Sequence, residues 1–303
     1  MRLRFQTVWL TLAGVAAATA QPNENDELIC ALSAAPTQLV TGEVDVINGS
    51  LAVPQQVYRE VASQFPGVDD LRGDEGFFSV TDAGLLPPGY VPPPGSVNIS
   101  FQFHAFAIDG ETRNLWFWDP LADANVSFGA PPAGGTFSFT KSPVAFFTAT
   151  VDGGAEDVAG FAIDTTSPLG GLHKHLNIVI DDADNNLATP VAPGIYAVAY
   201  TLQHPLDPPG PSALIILVVS GGLGAEGECA NQRAYDFFQE YLDGTPCAGD
   251  IDADNDTDLA DFADFQTGFG ATSGAGVESG DLDGDCDVDL DDLAVLAANL
   301  GPC

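Results

Sequence analysis

Two acidic segments near the C-terminus, GDIDADNDTDLADFADF and GDLDGDCDVDLDDLAVL, carry the same carboxylate spacing 31 residues apart, and few folds accommodate that pattern twice. Counting Asp250 as position 1, the carboxylates of Asp252, Asp254, Asp258 and Asp261 stand at positions 3, 5, 9 and 12. Asp281 opens an identical set with Asp283, Asp285, Asp289 and Asp292. These are the side-chain positions of a calcium-binding loop, because a hard cation takes about six to eight oxygens and a tight turn aims alternate side chains inward. Position 7 of such a loop offers its backbone carbonyl, and Asp256 and Asp287 occupy it. The competing reading of so much like charge is a solvated, unfolded tail. The apolar residues after each loop argue against that reading: Leu259, Phe262, Phe265 and Phe269 follow the first, Leu290, Leu293, Leu296 and Leu300 the second. Their helical spacing predicts two short helices with a buried face.

The duplicated loop-then-helix pattern, covering residues 247–303, resembles type I dockerins, including the dockerin-like modules at the ends of many secreted bacterial proteins. The resemblance implies a small, α-helical, paired EF-hand-like domain whose loop carboxylates bind calcium. It also implies an attachment device for a cohesin-like or other cell-surface protein. Two positions depart from the family pattern. Position 6, where the sharp turn favours Gly, holds Asn255 in one repeat and Cys286 in the other. The Ser/Thr pair that commonly contacts cohesin after position 9 is replaced by Leu259-Ala260 and Leu290-Asp291.

At the other end, Arg2 and Arg4 precede an apolar run from Val8 to Ala18, and Ala18-Thr19-Ala20 supplies the small residues a signal peptidase needs. A cleavable signal over residues 1–20 is expected, with the mature chain starting at Gln21. The run is too short to span a bilayer, so a secreted or extracytoplasmic protein without membrane insertion is expected. A formal charge of −35 with no cluster of Lys or Arg excludes the phosphate contacts that nucleic acid or an anionic membrane requires. Five cysteines suit an oxidising compartment but cannot all pair within one chain. Because a paired loop-helix unit brings its own ends together, a Cys247–Cys303 disulfide is expected, with Cys30–Cys229 as the second pair and Cys286 left over.

Residues 21–222 are long enough to bury a core, and Gly and Pro punctuate them into short β-rich runs. Val97–Ile108 alternates, placing Val97, Ile99, Phe101, Phe103, Ala105 and Ala107 on one face. Similar runs at Leu115–Trp118, Thr136–Thr140, Val144–Val151, Leu172–Ile180, Ile195–Leu202 and Ala213–Val219 predict an all-β domain, a β-sandwich or jelly roll. Helix is expected near Gln55–Gln64 and at Asn231–Leu242, the latter within a connecting segment, residues 223–246, that joins the sandwich to the C-terminal domain.

All four histidines fall in the sandwich region. His173 and His175 share a strand face, with Asn177 and Asp181 further along it, so a zinc or copper site using this pair with His104 or His204 is one reading. Unliganded surface histidines are the commoner case. No GxSxG elbow, HExxH, phosphate loop or nicotinamide fingerprint occurs. Trp116, Trp118, Tyr196 and Tyr200 are candidates for a carbohydrate surface, although aromatics on alternating strands more often build core. The expected function is a secreted, non-catalytic binding or structural sandwich carrying a calcium-dependent docking module. The alternatives are a polysaccharide-acting hydrolase tethered in the same way and a secreted zinc- or copper-binding protein.

Overall fold

The computed structural model describes residues 28–33, 39–45, 50–52, 55–65, 67–79, 81–83, 86–123, 125–141, 147–182, 186, 190–204, 212–224, 226–243, 249, 251, 256–272, 280–283 and 286–302. The expected signal peptide, Cys247, Asp250, Asp252, Asp254, Asn255, Asp285 and Cys303 lie outside them. In chain order the strands are β1 (Leu28–Ser33), β2 (Leu39–Asp45), β3 (Ser50–Ala52), β4 (Val57–Gln64), β5 (Leu71–Ser79), β6 (Tyr90–Val91), β7 (Asn98–His104), β8 (Phe106–Ile108), β9 (Glu111–Arg113), β10 (Trp116–Trp118), β11 (Thr136–Thr140), β12 (Thr148–Val151), β13 (Val158–Thr165), β14 (Leu172–Asp181), β15 (Gly194–Gln203) and β16 (Ile215–Gly221). Helix α1 (Glu226–Asp243) follows, then β17 (Asp256–Thr257), α2 (Leu259–Gly268), α3 (Leu290–Ala298) and β18 (Gly301–Pro302).

The strands hydrogen-bond along the path β12-β11-β14-β5-β4-β16-β15-β7-β13. β4 makes the corner. Val57 to Ala62 pair in parallel with Ile216 to Gly221, while Ser63 and Gln64 pair antiparallel with Arg72 and Leu71. β5, β11 and β14 thus form one layer and β7, β15 and β16 the other. Between them lies one core, with Phe77, Phe137, Phe139, Leu176 and Ile178 from the first layer meeting Phe101, Phe103, Val198, Tyr200 and Leu217 from the second. Phe103 stacks on Phe139 at 5.1 Å and Phe101 meets the same ring edge-on at 5.3 Å. Each such side chain removed from water contributes about 1.5–3 kcal/mol. The expected all-β, sandwich-like architecture is present, and its strands follow the alternation of the sequence: β14 buries Leu172, Leu176, Ile178 and Ile180 and leaves His173 and His175 exposed.

β15 and β16 are buried at nearly every residue because both of their faces are covered. On the outer face, Ile195, Ala197, Ala199, Ile216 and Val218 pack with Trp116, Trp118 and Phe128 under Ala230, Ala234 and Phe238 of α1. The two alanines, four residues apart, let the helix approach the sheet closely. The expected connecting helix is therefore part of the sandwich. Trp116, Trp118, Tyr196 and Tyr200 are all core, each at most 1 % exposed, and so take no part in a carbohydrate surface.

Two local expectations need correction. Most of the segment Gln55–Gln64 is strand β4, Val57–Gln64, where Tyr58 and Ala62 face the main core while Val57 faces the outer cluster. Pairing with β16 makes this two-sided burial available, and it overrides a helix-compatible sequence. The run Val97–Ile108 breaks at Ala105, after which Phe106 and Ile108, in place of Ala105 and Ala107, are the buried residues and join the outer cluster.

In the C-terminal region the two repeats interlock. β17, at positions 7 and 8 of the first loop, pairs with β18 beyond α3. Val288, at position 8 of the second loop, pairs with Gly270 and Ala271 beyond α2: Gly270 N–H donates to Val288 O at 2.8 Å and Val288 N–H to Ala271 O at 2.9 Å. Each loop is thus held by the tail of the other repeat. Phe265, Val288 and Leu296 form a small core flanked by Phe262 and Leu293. Of the expected apolar stripe, Leu259, Phe269, Leu290 and Leu300 are exposed instead. At about 100° per residue each three-residue step falls some 60° short of a turn, so Leu259 and Leu290 lie well off the arc that Phe265 and Leu296 bury.

Candidate metal centres

The geometry of the second loop is organised around Asp289. This residue caps α3, accepting from Asp291 N at 2.7 Å, while Asp292 three residues on accepts from Asp289 N at 2.7 Å, the reciprocal pattern of a capping box. Positions 9 and 12 of the loop are therefore also helix-capping positions. Asp292 is fully buried, and its other oxygen accepts from Leu282 N at 2.6 Å and Asp283 N at 2.9 Å, which wraps the loop around the carboxylate. Two groups of acidic oxygens share this residue. Asp281, Asp283 and Asp292 lie within 4.8 Å of one another, as do Asp287, Asp289 and Asp292. Asp287 thus brings its side chain into the cluster, where only its carbonyl was expected.

The first loop repeats what is described of this arrangement. Asp258 caps α2 with backbone angles of −136° and −151°, against −136° and −150° at Asp289. Asp261 is fully buried and accepts from Ile251 N and Asp258 N, both at 2.6 Å. The other carboxylates expected here, Asp250, Asp252 and Asp254, lie outside the described residues, as does Asp285 of the second loop.

No Lys, Arg or His follows Arg233 in the sequence. Two like charges about 4 Å apart repel by ~1 kcal/mol in water and ~4 kcal/mol at the effective dielectric of a protein surface, so clustering carboxylates is costly without a cation. Carboxylate oxygens gathered around a buried acid at position 12 are the kind of donor a hard cation takes, and the inward loop amides hold that acid in place.

Position 6 of the second loop has a different chemistry from the one expected. Cys286 adopts φ 76°, the left-handed conformation for which Gly is usual, and is disulfide-bonded to Cys229 of α1 across a Cα–Cα distance of 5.7 Å. The expected Cys30–Cys229 pair is thereby overturned, and Cys286 is not the leftover thiol. Cys286 N–H also donates to Asp281 at 3.0 Å. The loop is thus covalently tied to the helix that covers the sandwich.

The histidines separate into distinct places. His104 lies on the outer face of the β7–β15 layer, where its ring joins Asp157 at 2.9 Å and Thr201 at 2.9 Å. Asp157 also accepts from Ala105 N at 2.9 Å, and this amide, more than the neighbouring imidazole, lowers its pKa. Thr201 is 6 % exposed, which screens its hydroxyl from solvent; the Thr-His-Asp relay staples β7, β15 and the segment before β13. His204 is buried beyond the end of β15, and burial lowers its pKa. His173 and His175 project from the outer face of the opposite layer, with their Nε2 atoms 3.1 Å apart. The expected single site joining them to His104 or His204 is corrected: the sandwich core stands between the His104 face and the His173–His175 face. Among the described residues the three-member clusters of possible metal ligands contain no His.

No protein-family model matches the chain, and no curated protein is significantly similar to it. Solved structures that are similar over part of it include a family 123 glycoside hydrolase from Clostridium perfringens, at 11 % identity and TM-score 0.22, covering 56 % of this chain and 23 % of that one. The CooA pilin subunit of enterotoxigenic Escherichia coli matches at 12 % identity and TM-score 0.22, covering 55 % of this chain and 92 % of the pilin. CfaE, the adhesive subunit of CFA/I fimbria of the same organism, matches at 9 % identity and TM-score 0.23, covering 55 % and 46 %. Overlaps this loose carry no argument about function. Among the described residues no helix is long and apolar enough to cross a membrane.

Proposed function

We propose that this is an extracytoplasmic, non-catalytic protein in which a β-sandwich, the binding or structural body, is carried by a calcium-dependent, dockerin-like docking module that begins near residue 247. The observation that carries the reading is the meeting of Asp281, Asp283, Asp287, Asp289 and Asp292 around one buried carboxylate, in a loop whose counterpart recurs 31 residues earlier. In this reading the loop carboxylates hold one calcium ion per loop. The ion supplies positive charge that removes their mutual repulsion and sets the two helices for a cell-surface or cohesin-like partner. The Cys229–Cys286 bond supports a rigid link between module and body and suits an oxidising compartment. Calorimetric titration of calcium into the full-length chain tests the proposal: two ions are expected to bind the wild type and one the Asp281→Ala/Asp292→Ala variant. Equal heats for both proteins, or none for either, would sink it.

A further inference from the structure

We propose that His173 and His175 form a two-imidazole chelate for a borderline divalent ion, copper(II) above all, on the outer face of β14, and that Asp74 orients it. This site is separate from the calcium loops, because calcium takes oxygen ligands whereas imidazole suits copper and zinc. Two nitrogens bound to one such ion at about 2.0–2.1 Å, with a bond angle between roughly 90° and 110°, lie about 2.8–3.4 Å apart. The observed Nε2···Nε2 separation of 3.1 Å falls inside that window. Strand geometry brings the pair together, since residues two apart share a face, but it does not by itself aim the two rings at one point.

The aiming comes from β5. In its register with β14, Asp74 stands across from Asn177, Gly76 across from His175 and Phe78 across from His173. Asp74 reaches diagonally to His175, its carboxylate 2.9 Å from Nδ1. That contact places the ring proton on Nδ1 and turns Nε2, with its lone pair, toward His173, the arrangement in which a carboxylate behind an imidazole prepares it for a metal. Phe78 meets the His173 ring edge-on at 6.0 Å and 82°, which limits its rotation. Gly76, directly across from His175, adds no side chain beside the pair.

The test uses tag-free, full-length protein saturated with calcium, so that the acidic loops are filled before copper(II) is titrated. Electron paramagnetic resonance is expected to show coupling to two imidazole nitrogens. His173→Ala and His175→Gln should each weaken binding at least tenfold, and Asp74→Asn by about tenfold, the lower end of the range for such supporting carboxylates. His104→Ala should change nothing. All four positions are on outer faces, and unchanged far-ultraviolet circular dichroism would establish that the variants fold. Identical copper affinity in wild type and the His173→Ala/His175→Gln double variant, or a copper signal without two nitrogens, would overturn the site and leave a simple histidine–histidine hydrogen bond. Loss on His175→Gln with no effect of Asp74→Asn would overturn the orienting role.

Discussion

The sandwich and the C-terminal loop-helix pair both order an acidic chain, but they draw on different forces. Between the layers of the sandwich, whole rings are buried against one another: Phe77, Phe101, Phe103, Phe137, Phe139 and Tyr200 are each at most 2 % exposed. Among the described residues, the C-terminal pair has three buried apolar residues, Phe265, Val288 and Leu296, beside two fully buried carboxylates, Asp261 and Asp292. A core of three side chains supplies only about 5–9 kcal/mol before the entropy of ordering the chain is subtracted. The comparison teaches that a large apolar core between hydrogen-bonded layers sustains the larger region, whereas the smaller one relies on the interlocked loops, a cross-link to α1 and, on the proposed reading, an ion.

The sharpest way to break this contrast is to remove the ion. Chelation of calcium from the full-length chain is expected to abolish the circular-dichroism contribution of α2 and α3 while the near-ultraviolet signal of Trp116 and Trp118, buried beneath α1, persists. Equal loss of both signals would mean that the two regions are one cooperative unit. Next in size, Phe103→Ala empties part of the sandwich core and should cost about 3–5 kcal/mol in guanidinium denaturation. Calcium affinity should not change, and a change of more than a few-fold would break the separation from the other side.

Cutting the cross-link probes the boundary between the regions. Cys229→Ser/Cys286→Gly opens a loop of 57 residues, which on the chain-entropy account costs up to about 4 kcal/mol, a mechanism that is disputed. Glycine at a positive-φ position should return roughly 1 kcal/mol of this. The loss should appear in the unfolding of the C-terminal helices, and a loss confined to the sandwich would reverse the assignment. Smaller still is the cap itself: in the calcium-saturated chain, where α2 and α3 are folded, the capping bond lost in Asp258→Ala or Asp289→Ala should account for about 1 kcal/mol of the destabilisation. Because the two repeats are equivalent, a large inequality between these variants would show that the disulfide biases one of them.

The smallest effect concerns pH. The pKa of Asp157 is lowered in the fold, chiefly by the Ala105 amide, so its contribution is present above the unfolded value near 3.8 and is lost as pH falls through the folded value. Asp157→Asn should therefore flatten the acid limb of sandwich unfolding slightly. No change should follow at the C-terminal helices.

Some of this was legible in the residue pattern alone. The alternation of Leu172–Ile180 and the apolar run Ile195–Leu202 placed two central strands, and the repeated spacing of Asp281, Asp283, Asp289 and Asp292 brought out a cluster that the fold assembles, because side-chain periodicity and turn spacing are local properties of the backbone. What lay beyond the pattern depended on partners distant in sequence. Most of Gln55–Gln64 became strand because β16, more than 150 residues later, lies beside Val57 to Ala62. Cys286 pairs with Cys229 because the second loop lies against α1, and no spacing rule selects a partner among five cysteines. His173 and His175 were readable as one face, but their separation from His104 and their alignment by Asp74 required the layer assignment and the β5–β14 register. Local geometry follows from which residues are near in the chain, whereas pairing of strands, thiols and imidazoles follows from which surfaces burial brings together.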